Sequence, residues 1–215
     1  MSVSKNERVL IVINYLASGD TDYLYRFIEN SARGIIQTTL GDDYDRIIKL
    51  YGVNATLAKL IAALQRQGAR TSIRRIDLIV MLHGLPGKLE FKDGLKNSSV
   101  VRDQIRDLNI QSKLRLVYNT SCDGDSHSVH FISAGFDSAI GSKQVNANAA
   151  VEFTPLLNLW QFNWKLSDCL APTIPFTAPS DTLARVFGHA NNTSWKDRVD
   201  STKVIRGNNN LQIST

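Results

Sequence analysis

Cysteine and long apolar runs are both scarce in this chain of 215 residues. Two cysteines, Cys122 and Cys169, cannot form a disulfide framework, so we expect a reducing compartment, the cytoplasm. No apolar run approaches the ~20 residues of a membrane span, and we expect no membrane partner. Lys5 and Arg8 precede an apolar run at residues 9–13, which loosely imitates a secretory signal. Asn14 interrupts that run, so we interpret it as a core strand, while secretion stays open.

Signals for nucleic-acid, nucleotide and metal binding are also weak. The formal net charge is +5, but the basic residues are scattered and no aromatic residues lie among the densest group, at positions 70, 74 and 75. This pattern favours a solvated face over a nucleic-acid site. The segment from Gly84 to Gly87 lacks the Lys-Ser/Thr of a phosphate loop. Cys122, Asp125 and His127 have poor zinc spacing without a second cluster, so we expect no metal or cofactor.

Hydrophobic periodicity predicts alternating strands and helices in the first half of the chain. We predict strands at 8–16, 46–51, 76–82 and 114–118, a hairpin-like piece at 88–94, a helix from the N-cap Asn54 to Gly68, and a helix at 98–108. Another helix is expected to begin at Asp20, Thr21 or Asp22 and to run to Arg33. The order favours one α/β domain over residues 1–215, with a three-layer, doubly wound, mostly parallel sheet of about six strands.

The second half is less regular. We predict a flexible polar segment at 123–128, a strand at 130–134 with a short continuation at 139–141, and a helix at 147–162. Residues 171–179 hold three of the five prolines and are predicted to be a loop. Ser180 is a plausible cap for a helix to Gly188 that buries Leu183, Val186 and Phe187, and the chain is polar from about residue 190.

Two of the predicted strands each end in a reactive side chain. His83-Gly84 follows the strand at 76–82, and Cys122 follows the strand at 114–118. A strand, a helical crossover and a second strand form a βαβ unit, whose strands are parallel. If these strands are neighbours, their carboxyl ends bring the imidazole and the thiol together at the sheet edge where ligands bind in such folds.

An imidazole beside a thiol is suited to nucleophilic catalysis. The imidazole can accept the thiol proton during attack and return a proton to the leaving amine. The oxyanion that develops needs hydrogen-bond donors. Gly84 has no Cβ, so its backbone N–H can approach a substrate carbonyl closely, and the N–H of Cys122 can be the second donor.

The context of both residues resembles the caspase-like cysteine peptidases, the group of caspases, metacaspases, legumains and gingipains, and its bacterial branch in particular. The signature of that group is an apolar block followed by His-Gly, then a second block followed by a small residue and Cys; here these are residues 77–84 and 116–122. The resemblance implies a caspase-like fold and a cysteine endopeptidase acting on protein or peptide substrates. It also implies His83 as general base, Cys122 as nucleophile, and the N–H groups of Gly84 and Cys122 as the oxyanion hole.

The sequence departs from that group near the thiol. Relatives that cleave after Arg or Lys often carry an acidic residue two positions before the cysteine, where this chain has Thr120. Thr120, Asp123 and Asp125 are the candidates for the substrate pocket. The two aspartates would favour a basic substrate or solvate a loop, and would raise the pKa of the thiol. Two alternatives stay open: a catalytically inactive protein-interaction module on the same fold, and a flavodoxin-like small-molecule binder. The oligomeric state cannot be predicted.

Overall fold

A computed structural model describes residues 2–16, 23–147 and 149–215. Its strands are β1 (Arg8–Tyr15), β2 (Arg46–Tyr51), β3 (Arg75–Leu85), β4 (Lys88–Phe91), β5 (Gly94–Asn97), β6 (Leu114–Asn119), β7 (Ser138–Ser142) and β8 (Lys203–Gly207). Its α-helices are α1 (Tyr23–Leu40), α2 (Leu57–Gly68), α3 (Ser98–Arg106), α4 (Gly124–Ala134), α5 (Ala149–Gln161), α6 (Leu166–Leu170) and α7 (Ile174–Ala190).

The strands form a single sheet with the spatial order β2-β1-β3-β6-β7-β8. The pairs from β2 through β7 are parallel, and β8 joins β7 in the antiparallel direction. The hairpin of β4 and β5 extends from the end of β3. This confirms the predicted α/β class and the mostly parallel sheet. The two strands that end in the histidine and the cysteine are neighbours, as the βαβ pattern predicts.

Side-chain alternation along the strands produces two apolar layers. Leu78, Val80 and Leu82 belong to a core layer with buried residues of α2, α3 and α4. Ile79 and Met81 belong to the opposite layer, with α1, α5 and α6. Because both faces of the sheet are covered, the central strands are apolar on both sides, as expected of parallel strands. Helices on both faces give the predicted three-layer, doubly wound arrangement.

The chain after Cys122 was predicted wrongly. The flexible segment at 123–128 and the strand at 130–134 are together one helix, α4. Its buried residues are Gly124, His127, Ser128, Phe131 and Ala134. They have helical spacing, but His127 and Ser128 are polar and Gly124 has no side chain. Three of the five buried positions therefore carry no apolar side chain, so the sequence lacks the apolar pattern by which a helix is recognised.

The proline-rich stretch was also predicted wrongly. Residues 171–179 form a 3-10 turn and the first part of α7, with Pro175 in the first turn and Pro179 inside the helix. Proline fits the first turn because that N–H has no partner within the helix. The side chains expected to be buried are exposed instead, by 73% for Leu183, 62% for Val186 and 59% for Phe187.

Three smaller differences concern chain ends and caps. The N-cap of α2 is Thr56, whose Oγ1 accepts a hydrogen bond from the N–H of Lys59, and not Asn54. α1 continues past Arg33 to Leu40, and the proposed caps Asp20, Thr21 and Asp22 lie outside the described residues. The stretch from residue 190, predicted to be polar, contains β8 and buried residues at 199, 201, 211 and 213. In the described ranges, no helix has the length and apolar character required to cross a membrane.

Candidate active site

The histidine-glycine pair lies within β3, beyond the predicted strand end. β3 continues to Leu85 because β4 pairs with it there, with His83 opposite Glu90 and Gly84 opposite Leu89. On the other side, β6 ends at Asn119, and the N–H of Thr120 still bonds to the carbonyl of Val80 at 2.9 Å. The chain then turns away through Ser121 and Cys122.

Gly84 and Cys122 are in direct backbone contact. A Cβ atom on Gly84 would overlap the carbonyl oxygen of Cys122 and would lie 3.0 Å from the Cβ of Ser121. Only glycine permits this close approach. The two segments predicted to meet at the sheet edge therefore do meet, and the contact holds the His83-Gly84 peptide beside the cysteine.

The ring of His83 is oriented by a backbone carbonyl. Its Nε2 lies 2.8 Å from the carbonyl oxygen of Leu16, at the end of the neighbouring strand β1. A carbonyl oxygen only accepts hydrogen bonds, so Nε2 carries the proton. In the neutral ring, Nδ1 is therefore the basic nitrogen.

A second histidine lies beneath the cysteine. His127 is fully buried on α4; its Nδ1 lies 2.8 Å from Ser98 Oγ, and its Nε2 lies 3.3 Å from the carbonyl oxygen of Cys122. The ring therefore donates from Nε2 to Cys122 and accepts at Nδ1 from Ser98. Burial lowers the pKa of His127 from 6.5 to about 4, which keeps the ring neutral. His127 thus fixes the backbone of Cys122.

The thiol of Cys122 is partly buried, and burial raises its pKa. A hydrogen bond from the backbone N–H of Asn146 acts in the opposite direction. Among the neighbouring charges, Asp123 raises the pKa, as predicted, while Lys203 and Arg198 lower it. Burial thus favours the protonated thiol, whereas the N–H of Asn146 and the charges of Lys203 and Arg198 favour the thiolate.

The cysteine segment is fixed by the chain that follows β7. The N–H of Asp123 donates to the carbonyl of Gln144 at 2.7 Å, and Ser142 Oγ donates to the carbonyl of Ser121 at 3.2 Å. Gly124 and Gly141 pack so closely that a Cβ on either would overlap the backbone of the other. These contacts hold the cysteine segment against β7.

The three candidates for the substrate pocket are engaged within the protein. Thr120 is buried, and its Oγ1 donates to the carbonyl of Val80 at 3.1 Å. Asp123 is buried and forms an ion pair with Arg198 at 2.6 Å. Asp125 makes two hydrogen bonds of 2.8 Å to Arg206. In this arrangement, both carboxylates are thus paired with arginines of the chain itself and not directed at a substrate.

Sequence reasoning missed three residues around the thiol: Asn146, Glu152 and Lys203. Lys203 Nζ lies 2.9 Å from Glu152 Oε1 and 2.8 Å from Asn146 Oδ1. They belong to a loop, a helix and the last strand, so no local motif joins them. Within the described part of the chain, no group of three His, Cys, Asp or Glu side chains is arranged to hold a metal ion.

The fold, unlike the sequence, has clear relatives. No protein-family model and no curated protein matches the sequence. Among solved structures, the chain resembles caspase-1 from Spodoptera frugiperda at 10% identity and a TM-score of 0.58, over 99% of this chain and 91% of that one. It resembles the Drosophila initiator caspase Dronc at 13% identity and a TM-score of 0.58, over 99% and 84%.

A third similar structure is the Arg-specific cysteine proteinase gingipain R, at 12% identity and a TM-score of 0.59. It is matched over 98% of this chain and 49% of its own length. The chain therefore has the caspase-like fold, which the sequence motifs predicted. At 10–13% identity, the likeness establishes the fold alone.

Proposed function

We propose that the chain is a cysteine peptidase of caspase-like type, in which Cys122 attacks the peptide carbonyl and His83 transfers the proton. The backbone N–H groups of Gly84 and Cys122 are the proposed oxyanion donors. The observation that carries this proposal is the contact between Gly84 and the Cys122 carbonyl, because it holds both segments in one place.

In the first proposed step, the thiol proton of Cys122 passes to Nδ1 of His83 as sulfur forms a bond to the substrate carbonyl carbon. A protonated thiol is the resting form because burial raises its pKa, so proton transfer accompanies attack. The carbonyl oxygen becomes an oxyanion and accepts hydrogen bonds from the two N–H groups. Each such donor contributes about 3 kcal/mol to transition-state stabilisation.

In the second step, the oxyanion collapses and the bond from carbon to the leaving nitrogen breaks. His83 returns its proton to the departing amine, which leaves an acyl-thioester on Cys122. Water then attacks the thioester, His83 accepts the water proton, and the bond from carbon to sulfur breaks. The sulfur leaves as a thiolate and regains its proton from His83.

The contacts of the other candidates support this assignment of roles. Both ring nitrogens of His127 are engaged, with Ser98 and with the Cys122 carbonyl, so it is not a competing base. Cys169 is fully buried, and burial raises the pKa of its thiol to about 12. A thiol in that setting is a poor nucleophile.

Incubation with a proteome-derived peptide library, read by mass spectrometry, tests the proposal. Wild-type protein should produce a consistent set of new peptide ends, and Cys122→Ala and His83→Gln should abolish them. Matched controls are Cys169→Ala and His189→Gln; His189 is a half-exposed histidine paired with Asp197 at 3.2 Å. Both controls should cleave as the wild type does.

Cleavage that survives in Cys122→Ala would assign the activity to a contaminant or to another residue. A folded wild-type protein that cleaves no member of the library would favour the alternative of a non-catalytic interaction module. Stabilisation by nucleotides without cleavage would favour the small-molecule binder.

A further inference from the structure

A buried ion pair lies beside the nucleophile segment. The side chain of Lys203 on β8 is only 4% exposed, and that of Glu152 on α5 is fully buried. Their contact of 2.9 Å joins the antiparallel edge strand to a helix on one face of the sheet. A buried ion pair is costly to desolvate and adds little stability compared with apolar packing. This makes a purely structural role a poor explanation.

The acidic partner of this pair is incompletely bonded. Oε1 of Glu152 also accepts a hydrogen bond from the hydroxyl of Tyr118 at 2.8 Å. Its other oxygen, Oε2, has no hydrogen-bond partner among the residues that the structure describes. Such a buried oxygen usually costs stability, so the pair is retained here at an energetic disadvantage.

Asn146 links Lys203 to the backbone just before Cys122. Lys203 Nζ donates to Asn146 Oδ1 at 2.8 Å, and Asn146 Nδ2 donates to the carbonyl of Thr120 at 2.8 Å. The amide is held at both ends, which fixes the orientation of this residue. The backbone N–H of Asn146, in turn, acts to lower the pKa of the Cys122 thiol.

We propose that Lys203 is a positioning residue for Cys122: it holds Asn146 so that its N–H meets the sulfur, and it supplies positive charge where a thiolate forms. The proposal rests on the proposed function, since it assigns this role within the peptidase reaction. It makes β8 part of the active site, although the strand is far from the cysteine in sequence.

Each of the other charged or titratable groups near the sulfur is either paired, neutral or already assigned a role. Asp123 and Arg198 form an ion pair with each other, so their effects on the sulfur largely cancel. His127 is neutral beneath the backbone, and His83 is the proposed proton acceptor. Lys203 is partly neutralised by Glu152, so the two members of this pair should act on the thiol in opposite directions.

The experiment measures the rate at which iodoacetamide alkylates Cys122 as a function of pH, with the modified peptide quantified by mass spectrometry. Three variants are compared with the wild type: Glu152→Gln, the double variant Glu152→Gln with Lys203→Met, and Asn146→Ala. The double variant leaves no unpaired buried charge, so it tests Lys203 without the destabilisation expected of Lys203→Met alone. Lys143→Met, which removes an exposed lysine of the loop after β7, is the matched control.

Below the thiol pKa, the rate follows the thiolate fraction. Glu152→Gln should raise this rate, because it leaves the charge of Lys203 without its counter-ion. The double variant should react about tenfold more slowly than Glu152→Gln, the effect of one nearby charge on a thiolate. Asn146→Ala should also slow the reaction, and Lys143→Met should not change it.

Equal rates for Glu152→Gln and the double variant, in proteins with wild-type circular dichroism, would overturn the proposal. The alkylation test is separate from the test of function. If the protein cleaves no peptide but its alkylation rates shift in these opposite directions, the effect of Lys203 on the thiol stands and the proposed peptidase function fails. If the protein cleaves peptides but its alkylation rate does not depend on Lys203, the proposed function stands and the role of Lys203 fails.

Discussion

Lowering the pH from about 7 to about 5 should destabilise the protein through His127. The ring is fully buried, and burial lowers its pKa from 6.5 to about 4. Between these values the unfolded chain binds a proton that the folded protein excludes. Stability attributable to His127 is therefore fully present above about pH 6.5 and is lost as the pH falls toward about 4.

The expected loss follows from the two pKa values. Linkage between them gives about 2 kcal/mol lost between about pH 7 and about pH 5, and about 3 kcal/mol by about pH 4. Protonation would also place a hydrogen on Nδ1, which now accepts a hydrogen bond from Ser98 Oγ at 2.8 Å. Ser98 would have to reorient, and the contact beneath the Cys122 carbonyl would loosen.

Urea unfolding at a series of pH values measures this effect. His127→Gln cannot gain a proton, so it should start less stable than the wild type and lose about 2 kcal/mol less between about pH 7 and about pH 5. His189→Gln makes the same chemical change at a half-exposed position and should keep the acid sensitivity of the wild type. Parallel pH profiles for the wild type and His127→Gln would refute the reasoning.

Two further substitutions test the packing that supports the site. Gly84→Ala should abolish peptide cleavage and lower the free energy of unfolding in urea by about 1–3 kcal/mol, because the new Cβ would overlap a backbone carbonyl. The control Gly34→Ala, whose Cβ would have no atom within 4 Å, should be neutral or stabilising. A fully active Gly84→Ala would contradict this reasoning. Asp77→Asn should lower the free energy of unfolding by about 3 kcal/mol or more, because it removes the buried carboxylate that pairs with Arg115. Asp103→Asn, at the surface, should change this free energy by about 0.5 kcal/mol or less. Similar losses for both variants would contradict that account.

The parts of the fold that the sequence predicts well are those where local pattern and burial agree. β2 has its predicted bounds and α2 ends at Gly68 as predicted, because their apolar spacing reflects the layers they contact. The βαβ order also predicts that β3 and β6 are neighbours, which brings Gly84 against Cys122. The positions of these residues could thus be predicted from the motifs and from the handedness of the crossover.

The remaining features depend on contacts between distant segments. α4 was not recognised because His127 and Ser128 are buried through hydrogen bonds, which apolar periodicity does not detect. Lys203 follows Asn146 by more than fifty residues, and only the antiparallel addition of β8 brings them together. For α7 the error was the opposite one, because side chains predicted to be buried are exposed. An amphipathic pattern predicts that one face of a helix is buried, but it does not say which surface covers that face.

Covalent trapping is the most direct test that His83 and Cys122 act as a pair. The reagents are peptidyl acyloxymethyl ketones, pooled to cover every residue type at the position before the reactive group, and the readout is intact mass with peptide mapping. We expect one adduct per chain, on Cys122, formed at least about a hundredfold more slowly in His83→Gln, the scale of losing general acid–base catalysis. Labelling that is equally fast in His83→Gln, or absent from Cys122 in the folded wild type, would contradict the account.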